Sequence, residues 1–128
     1  WTAELILFDL HFARVRRCLD QGDAGAAAGA ADLALSLAGA DPLRHNDLGC
    51  AFGDHGLWDS AERHFSAALE LDPDYAPARR NLGKLFMRRG DYAQALAQFE
   101  RVLDAHPGDD AAARLVAWCA LQLGPDSQ

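Results

Sequence analysis

The chain reads as a succession of amphipathic helices. Near the N-terminus, Leu5, Phe8, Phe12, Val15 and Leu19 recur at spacings of three and four. That spacing draws one apolar stripe along a helix, capped by Thr2 and running to about Gln21. Leu7 and Leu10 fall outside the stripe, so the first turns are apolar almost all round. Gly22 stops this helix and Asp23 caps an Ala-rich second one over about residues 24–37. Its interruptions, Gly25 and Gly29, each cost about 1 kcal/mol against Ala. Close backbone approach to a neighbouring helix is the expected reason for them. Asp41 and Pro42 open a third helix that runs to about Asp54. After a turn at Gly56 a fourth covers about 58–71, stopped by Pro73. A fifth spans about 77–89, with Gly90 as its stop. Asp91 caps a sixth that reaches about residue 105, and Pro107 ends it. Asp109 or Asp110 caps a seventh through about residue 123. Gly124 and Pro125 close the ordered region, and 126–128 are expected to fray. No segment alternates with period two and Val and Ile are few, so no strand is expected.

The helices repeat. Residues 48–73 and 82–107 match thirty-four positions apart at Leu48/Leu82, Gly49/Gly83, Phe52/Phe86, Gly56/Gly90, Trp58/Tyr92, Ala61/Ala95, Phe65/Phe99, Leu69/Leu103 and Pro73/Pro107. A fixed period of this size marks stacked supersecondary units, each burying its apolar face on its neighbours. The period reaches outward through Gly22, Gly56, Gly90 and Gly124, through Ala27, Ala61 and Ala95, and through Leu35, Leu69 and Leu103.

These residues resemble the tetratricopeptide repeat family. With Pro42 and Ala76 at repeat position 1, the small residues Gly49, Gly83, Ala61 and Ala95 stand where the family packs two antiparallel helices closely. Phe52, Phe65, Phe86 and Phe99 stand where it fills the space between them, and Pro73 and Pro107 where it ends the pair. The resemblance implies an all-α, right-handed α-solenoid of three helix pairs with a C-terminal capping helix. It implies one domain over 1–124: a divergent repeat at 8–41, repeats at 42–75 and 76–109, a capping helix at 110–123, then a frayed tail. The first repeat departs from the pattern at Arg14, Cys18 and Gly39, and carries Val15 and Ala31 at two packing positions.

The resemblance also implies a concave groove lined by the first helix of each pair. The matching positions nominate Arg16, Asn46, Arg80, Lys84, Arg88, Arg114 and Trp118 as peptide-binding residues. Arg80, Lys84 and Arg88 are four apart and form a ridge on one helix face. Residues 76–90 hold five basic residues and no acid, whereas residues 41–75 hold eight acids against Arg44 and Arg63. Such a ridge suits an acidic or C-terminal peptide held by charge-assisted hydrogen bonds, with Trp118 anchoring an apolar side chain. The alternative reading places Arg79, Arg88 and Arg89 merely in solvent at a helix C-terminal end. Some members of the family clamp the C-terminal carboxylate of chaperone tails with a Lys/Asn/Asn/Lys/Arg set. The corresponding positions are Asn46, Cys50, Asn81, Ala111 and Leu115, or Phe12, Arg16, Asp47, Pro77 and Asn81. Neither set supplies the clamp.

Composition narrows the classes further. The chain has 128 residues, 26 of them Ala, and a formal net charge of -7, which argues against nucleic acid as a partner. Cys18, Cys50 and Cys119 are odd in number with no CxxC spacing, which suits a reducing, cytoplasmic compartment. No stretch has the length and apolarity of a membrane span. The five histidines show no metal-ligand spacing, with His11 and His45 read as packed residues at one repeat position. Cys50 and His45 fall on different faces of one helix, and the glycines of GDAGAAAG follow no strand. Neither catalysis, a metal nor a cofactor is therefore expected. The Ala, Arg, Gly and Asp richness hints at a GC-rich bacterial genome.

The functional expectation is a protein-interaction module. One alternative is an assembly scaffold that self-associates through Leu5 and Phe8 of the apolar N-terminal run. Another is a regulatory array fused to an enzyme, since the chain starts without Met and reads as excised from a longer protein.

Overall fold

A computed structural model describes residues 2–125 of the chain, and the expected fray at 126–128 lies outside them. Among the described residues there are seven helices and no strand. They are α1 (Ala3–Asp20), α2 (Ala24–Ala38), α3 (Pro42–Asp54), α4 (Trp58–Leu71), α5 (Ala76–Arg88), α6 (Tyr92–Ala105) and α7 (Asp110–Leu123). Contacts gather them into two compact units, Trp1–Leu71 and Asp72–Gln128. In the first, α1 packs on α2 and α3 on α4. In the second, α5 packs on α6, and α6 also packs on α7.

Local chemistry sets the ends. The Asp23, Asp41, Asp91 and Asp109 side chains each accept a hydrogen bond from an N–H three residues on, at 2.7–3.3 Å. Thr2 does the same for α1 at 3.2 Å. Each bond satisfies a donor that the helix itself leaves orphaned. At Gly56 and Gly90 the backbone turns left-handed, with φ of +74° and +78°. There the Leu57 and Asp91 N–H groups donate back to the Phe52 and Phe86 carbonyls at 3.0 and 2.9 Å, closing the preceding helix.

The helix pairs are held by a small residue on the first helix and a large one on the second. A Cβ placed on Gly49 would lie 2.5 Å from the Phe65 ring, and one on Gly83 would lie 2.7 Å from the Phe99 ring. Both rings are buried. In the divergent first pair the sizes at the two matching positions are exchanged. Val15 stands thirty-four residues before Gly49, Ala31 stands thirty-four before Phe65, and both are buried. Gly with Phe and Val with Ala divide a similar volume differently, the kind of exchange packed interiors tolerate. Ala27, Ala61 and Ala95 are fully buried at the matching place on the second helices.

A polar contact recurs in register beside the interlock. His45 and His64 meet across α3 and α4, with Nδ1 atoms 3.1 Å apart. Thirty-four residues on, Arg79 Nη1 donates to Gln98 Oε1 across α5 and α6 at 2.8 Å, and Arg79 Nη2 donates to the Pro73 carbonyl at 2.9 Å. Arg79 is thus buried, which removes it from the alternative reading that placed it in solvent. Its position points along the second helix of its own pair.

Three further expectations are corrected. Gly29 has nothing within 4 Å of a would-be Cβ and Gly25 meets only Asp23 Oδ1 at 3.8 Å. Both are exposed, so no close helix approach explains them. Phe8 is buried, stacked on Phe12 at 5.6 Å with the Arg44 guanidinium 5.4 Å above its ring. Arg44 also donates to the Ala38 and Gly39 carbonyls at the end of α2. A cation from α3 therefore covers the ring that self-association was expected to use. Finally, α5 starts and ends one residue earlier than the spacing predicts.

Two predictions follow from this packing. Gly83→Ala should destabilise the protein by about 1–2 kcal/mol, because overpacking against the Phe99 ring outweighs the gain in helix propensity. Gly29→Ala, with open space and ordinary helical geometry, should stabilise it by about 0.5–1 kcal/mol. Urea unfolding measures both, and equal effects would refute the interlock. The second concerns pH. His64 stacks on Phe52 at 5.4 Å, and burial first, then His45, push its pKa down to about 4. The unfolded chain binds a proton near pH 6.5 that the folded ring takes up only near 4. Stability should therefore fall by about 1–3 kcal/mol as the pH drops through that window, and level off below it. His64→Phe should flatten most of this slope in urea midpoints measured from pH 7 to 4, leaving the smaller part due to His45, whose pKa burial also lowers.

Candidate functional site

The expected site residues divide between the two units. In the second, the basic ridge lies on α5. Pro77 sits in its first turn, where a missing N–H costs nothing. Arg80, Lys84 and Arg88 follow on one face. Arg80 Nη1 donates to Asp109 Oδ2 at 2.9 Å, and the other oxygen of that carboxylate accepts the Ala112 N–H at 3.0 Å. One side chain thus caps α7 and neutralises part of the ridge. The Ala112 bond chiefly, and Arg80 after it, hold the Asp109 pKa below the usual carboxylate value. Lys84 and Arg88 are exposed.

Helix α7 carries the equivalent positions. Arg114, in register with Arg80, is exposed, and Trp118, in register with Lys84, is 42% exposed. The Tyr92 ring of α6 meets Trp118 edge-on, with centroids 5.4 Å apart. That contact fixes the indole while leaving much of it open. Lys84, Arg88, Arg114 and Trp118 are therefore presented, whereas Arg80 is committed to Asp109.

In the first unit the same register gives the opposite charge. A cleft of about 420 Å³ between α1 and α3 is lined by Phe12, Arg16, Asp20, Asp47, Asp54 and His55, among others. His55 Nδ1 donates to the Ala51 carbonyl and Nε2 to Asp20 Oδ1, both at 2.9 Å. With both nitrogens aimed at acceptors the imidazolium is favoured, and the pKa of His55 rises. Burial first, then Asp41 and Asp9, raise the pKa of Asp47. Arg16 is exposed among three aspartates, one of which, Asp20, His55 engages. Asn46 is 92% covered and belongs to the packed interior, which corrects its expected role as a presented contact. Leu5 is exposed and Phe8 is not, so the apolar N-terminal face retains Leu5, Ile6 and Leu10.

Sequence reasoning missed the Arg80–Asp109 pair, the covered Arg79 and the His45–His64 contact. A signal for the last two existed. His45/His64 and Arg79/Gln98 share both a separation of nineteen and the repeat register. Among the described residues, no three His, Cys, Asp or Glu side chains gather to hold a metal ion. No helix among them is long and apolar enough to cross a membrane.

Among the described residues, three helix pairs in register and a seventh helix packed on the last of them, with charged faces on the first helix of each pair, define an all-α helix-hairpin repeat protein. The profile of the tetratricopeptide repeat family matches residues 54–124, and the chain belongs to that family. Mouse Protein O-mannosyl-transferase TMTC1 is 36% identical over 87 residues, 65% of this chain and 9% of the mouse protein. The human protein is 34% identical over 82 residues, 61% of this chain and 9% of its own length. The chain thus spans less than a tenth of the curated relatives it matches. Among solved structures, the second TPR domain of human RPAP3, in complex with the HSP70 peptide SGPTIEEVD, superposes with a TM-score of 0.69 at 20% identity. The match covers 91% of this chain and 98% of that one. The first TPR of Spaghetti (RPAP3), bound to the HSP90 peptide SRMEEVD, gives 0.72 at 18% identity, covering 94% and 92%. MamA from Desulfovibrio magneticus RS-1 gives 0.71 at 24% identity, covering 91% and 66%.

Proposed function

We propose that the protein is a protein-interaction module whose second unit takes an acidic peptide segment on the exposed face of α5 and α7. The observation that carries this reading is the charge of α5. Five cations and no acid lie between residues 76 and 90 of a chain with net charge -7, and Lys84 and Arg88 are exposed. Arg114 extends that face on the equivalent helix, and Trp118, steadied by Tyr92, offers an apolar anchor beside it. Carboxylates would be held by charge-assisted bonds. Arg80, paired with Asp109, sets the spacing of α5 and α7 rather than meeting the ligand.

The likeness to peptide-bound RPAP3 domains supports a peptide as ligand. The absent carboxylate clamp argues that internal acidic residues, not a chain terminus, are read. The acid-lined cleft between α1 and α3 disfavours an acidic segment there, which limits this reading to the second unit. Cys18, Cys50 and Cys119 form no disulfide, which fits a reducing compartment such as the cytoplasm. A second reading, a regulatory array within a larger enzyme, rests on the match to a small part of proteins named as transferases. Self-association through the N-terminal face rests on the exposure of Leu5, Ile6 and Leu10.

The peptide SGPTIEEVD, with a free or an amidated C-terminus, tests the first reading by fluorescence anisotropy. Both forms should bind alike, more weakly as salt rises. The double variant Lys84→Glu, Arg88→Glu should lose about tenfold or more in affinity and most of the salt dependence. Binding that is absent, or indifferent to both charges, would sink this reading.

A further inference from the structure

A cleft of about 290 Å³ opens within the second unit, between the start of α5 and the end of α6. Arg79 lines it and is only 7% exposed. Its guanidinium is held by Gln98 and by the Pro73 carbonyl, and both acceptors are neutral. Those two bonds leave further N–H donors on the group. A buried charge is ordinarily paired with an opposite one. Among the described residues, no carboxylate lies within ion-pair distance of Arg79. The strongest charge acting on it is a like one, Arg101 of α6, which lines the same cleft. Burial first and Arg101 next lower the pKa of Arg79, while Asp74 opposes them. An arginine remains charged through such a shift, so the fold gathers two cations on one cavity. Arg101 is exposed, and among the described residues it too has no carboxylate within ion-pair distance. His106, just past the end of α6, lines the cleft beside them. The repeat does not demand this set. In the second repeat the positions of Arg79, Arg101 and His106 hold His45, Ala67 and Asp72.

We infer that this cleft binds a phosphoryl group, held between Arg79 and Arg101 with His106 as a further donor. A carboxylate offers two oxygens, which a single guanidinium fork occupies. A phosphoryl group offers three acceptor oxygens and a charge of about -1.5 to -2 at pH 7. It can therefore serve both guanidinium groups and offset both charges, which relieves the repulsion between them. Asp74 and Asp104 also line the cleft, and both are exposed. They disfavour an extended polyanion and suit a compact one seated on Arg79. Arg79 keeps its place as a brace between the helices, because the bonds to Gln98 and Pro73 aim the guanidinium without using all its donors. The site is separate from the acidic-peptide face. Arg79 lies roughly 140–180° round α5 from Lys84 and Arg88.

The test titrates nitrogen-15-labelled protein at pH 7 with inorganic phosphate, with sodium chloride of matched ionic strength as the control. Amide signals at residues 74–79 and 101–106 should move saturably, with a dissociation constant on the order of millimolar. Arg101→Gln, at an exposed position, should weaken binding by about fivefold or more. Asp104→Asn, which removes a nearby negative charge, should tighten it by about twofold. The Lys84→Glu, Arg88→Glu variant should change it by less than about twofold, which separates this cleft from the acidic-peptide face. End-blocked phosphoserine, run beside inorganic phosphate, distinguishes the source. Tighter binding of phosphoserine assigns a phosphorylated side chain, and tighter binding of phosphate assigns the free ion. Three results would overturn the inference: no saturable shift with either ligand, shifts that sodium chloride reproduces, or affinities that Arg101→Gln leaves unchanged.

Discussion

The closeness of the two helices in each pair is the constraint from which the rest of the structure follows. At Gly49 and Gly83 the first helix has no side chain, and the Phe65 and Phe99 rings lie so near that a single methyl group would collide with them. Fixing that distance fixes what the remaining faces of the first helix can do. One is spent on its partner, and part of what remains is presented outward. The charged face of α5 is a consequence of this division.

The divergent first repeat fits a packing governed by size balance rather than by residue identity. Val15 and Ala31 exchange the roles of small and large and remain fully packed. The adjoining polar position behaves alike. It can hold a His45–His64 contact or an Arg79–Gln98 hydrogen bond, because either places one long polar group across the second helix. Arg79 is tolerated there because its guanidinium also reaches the Pro73 carbonyl. A charge that looks like part of the exposed face of α5 is instead a brace for the pair, much as Arg80 is for the start of α7.

Much of this was legible in the sequence. Period, caps and apolar stripes place all seven helices to within a residue or two, because each rests on interactions inside one helix or between fixed repeat positions. Contacts between unlike positions were not legible. Nothing in the stripe of α1 says that Arg44 would cover Phe8, and the cost of Gly29 suggested a close neighbour that is not there. In the candidate site, the exposure of Lys84, Arg88 and Trp118 agrees with their repeat positions. The burial of Asn46 and the pairing of Arg80 depend on particular partners that the period does not specify. The acid-lined cleft of the first unit was present in the sequence as Asp20, Asp47 and Asp54, but only the fold brings them together.

The size rule is tested most directly by a double-mutant cycle at Gly83 and Phe99. Gly83→Val alone should overpack and Phe99→Ala alone should leave a cavity, while the pair recreates the Val15–Ala31 arrangement in the third repeat. Chemical denaturation should find the double variant more stable than the sum of the single changes by about 1–3 kcal/mol. Additive losses would contradict the claim that these two positions share one volume.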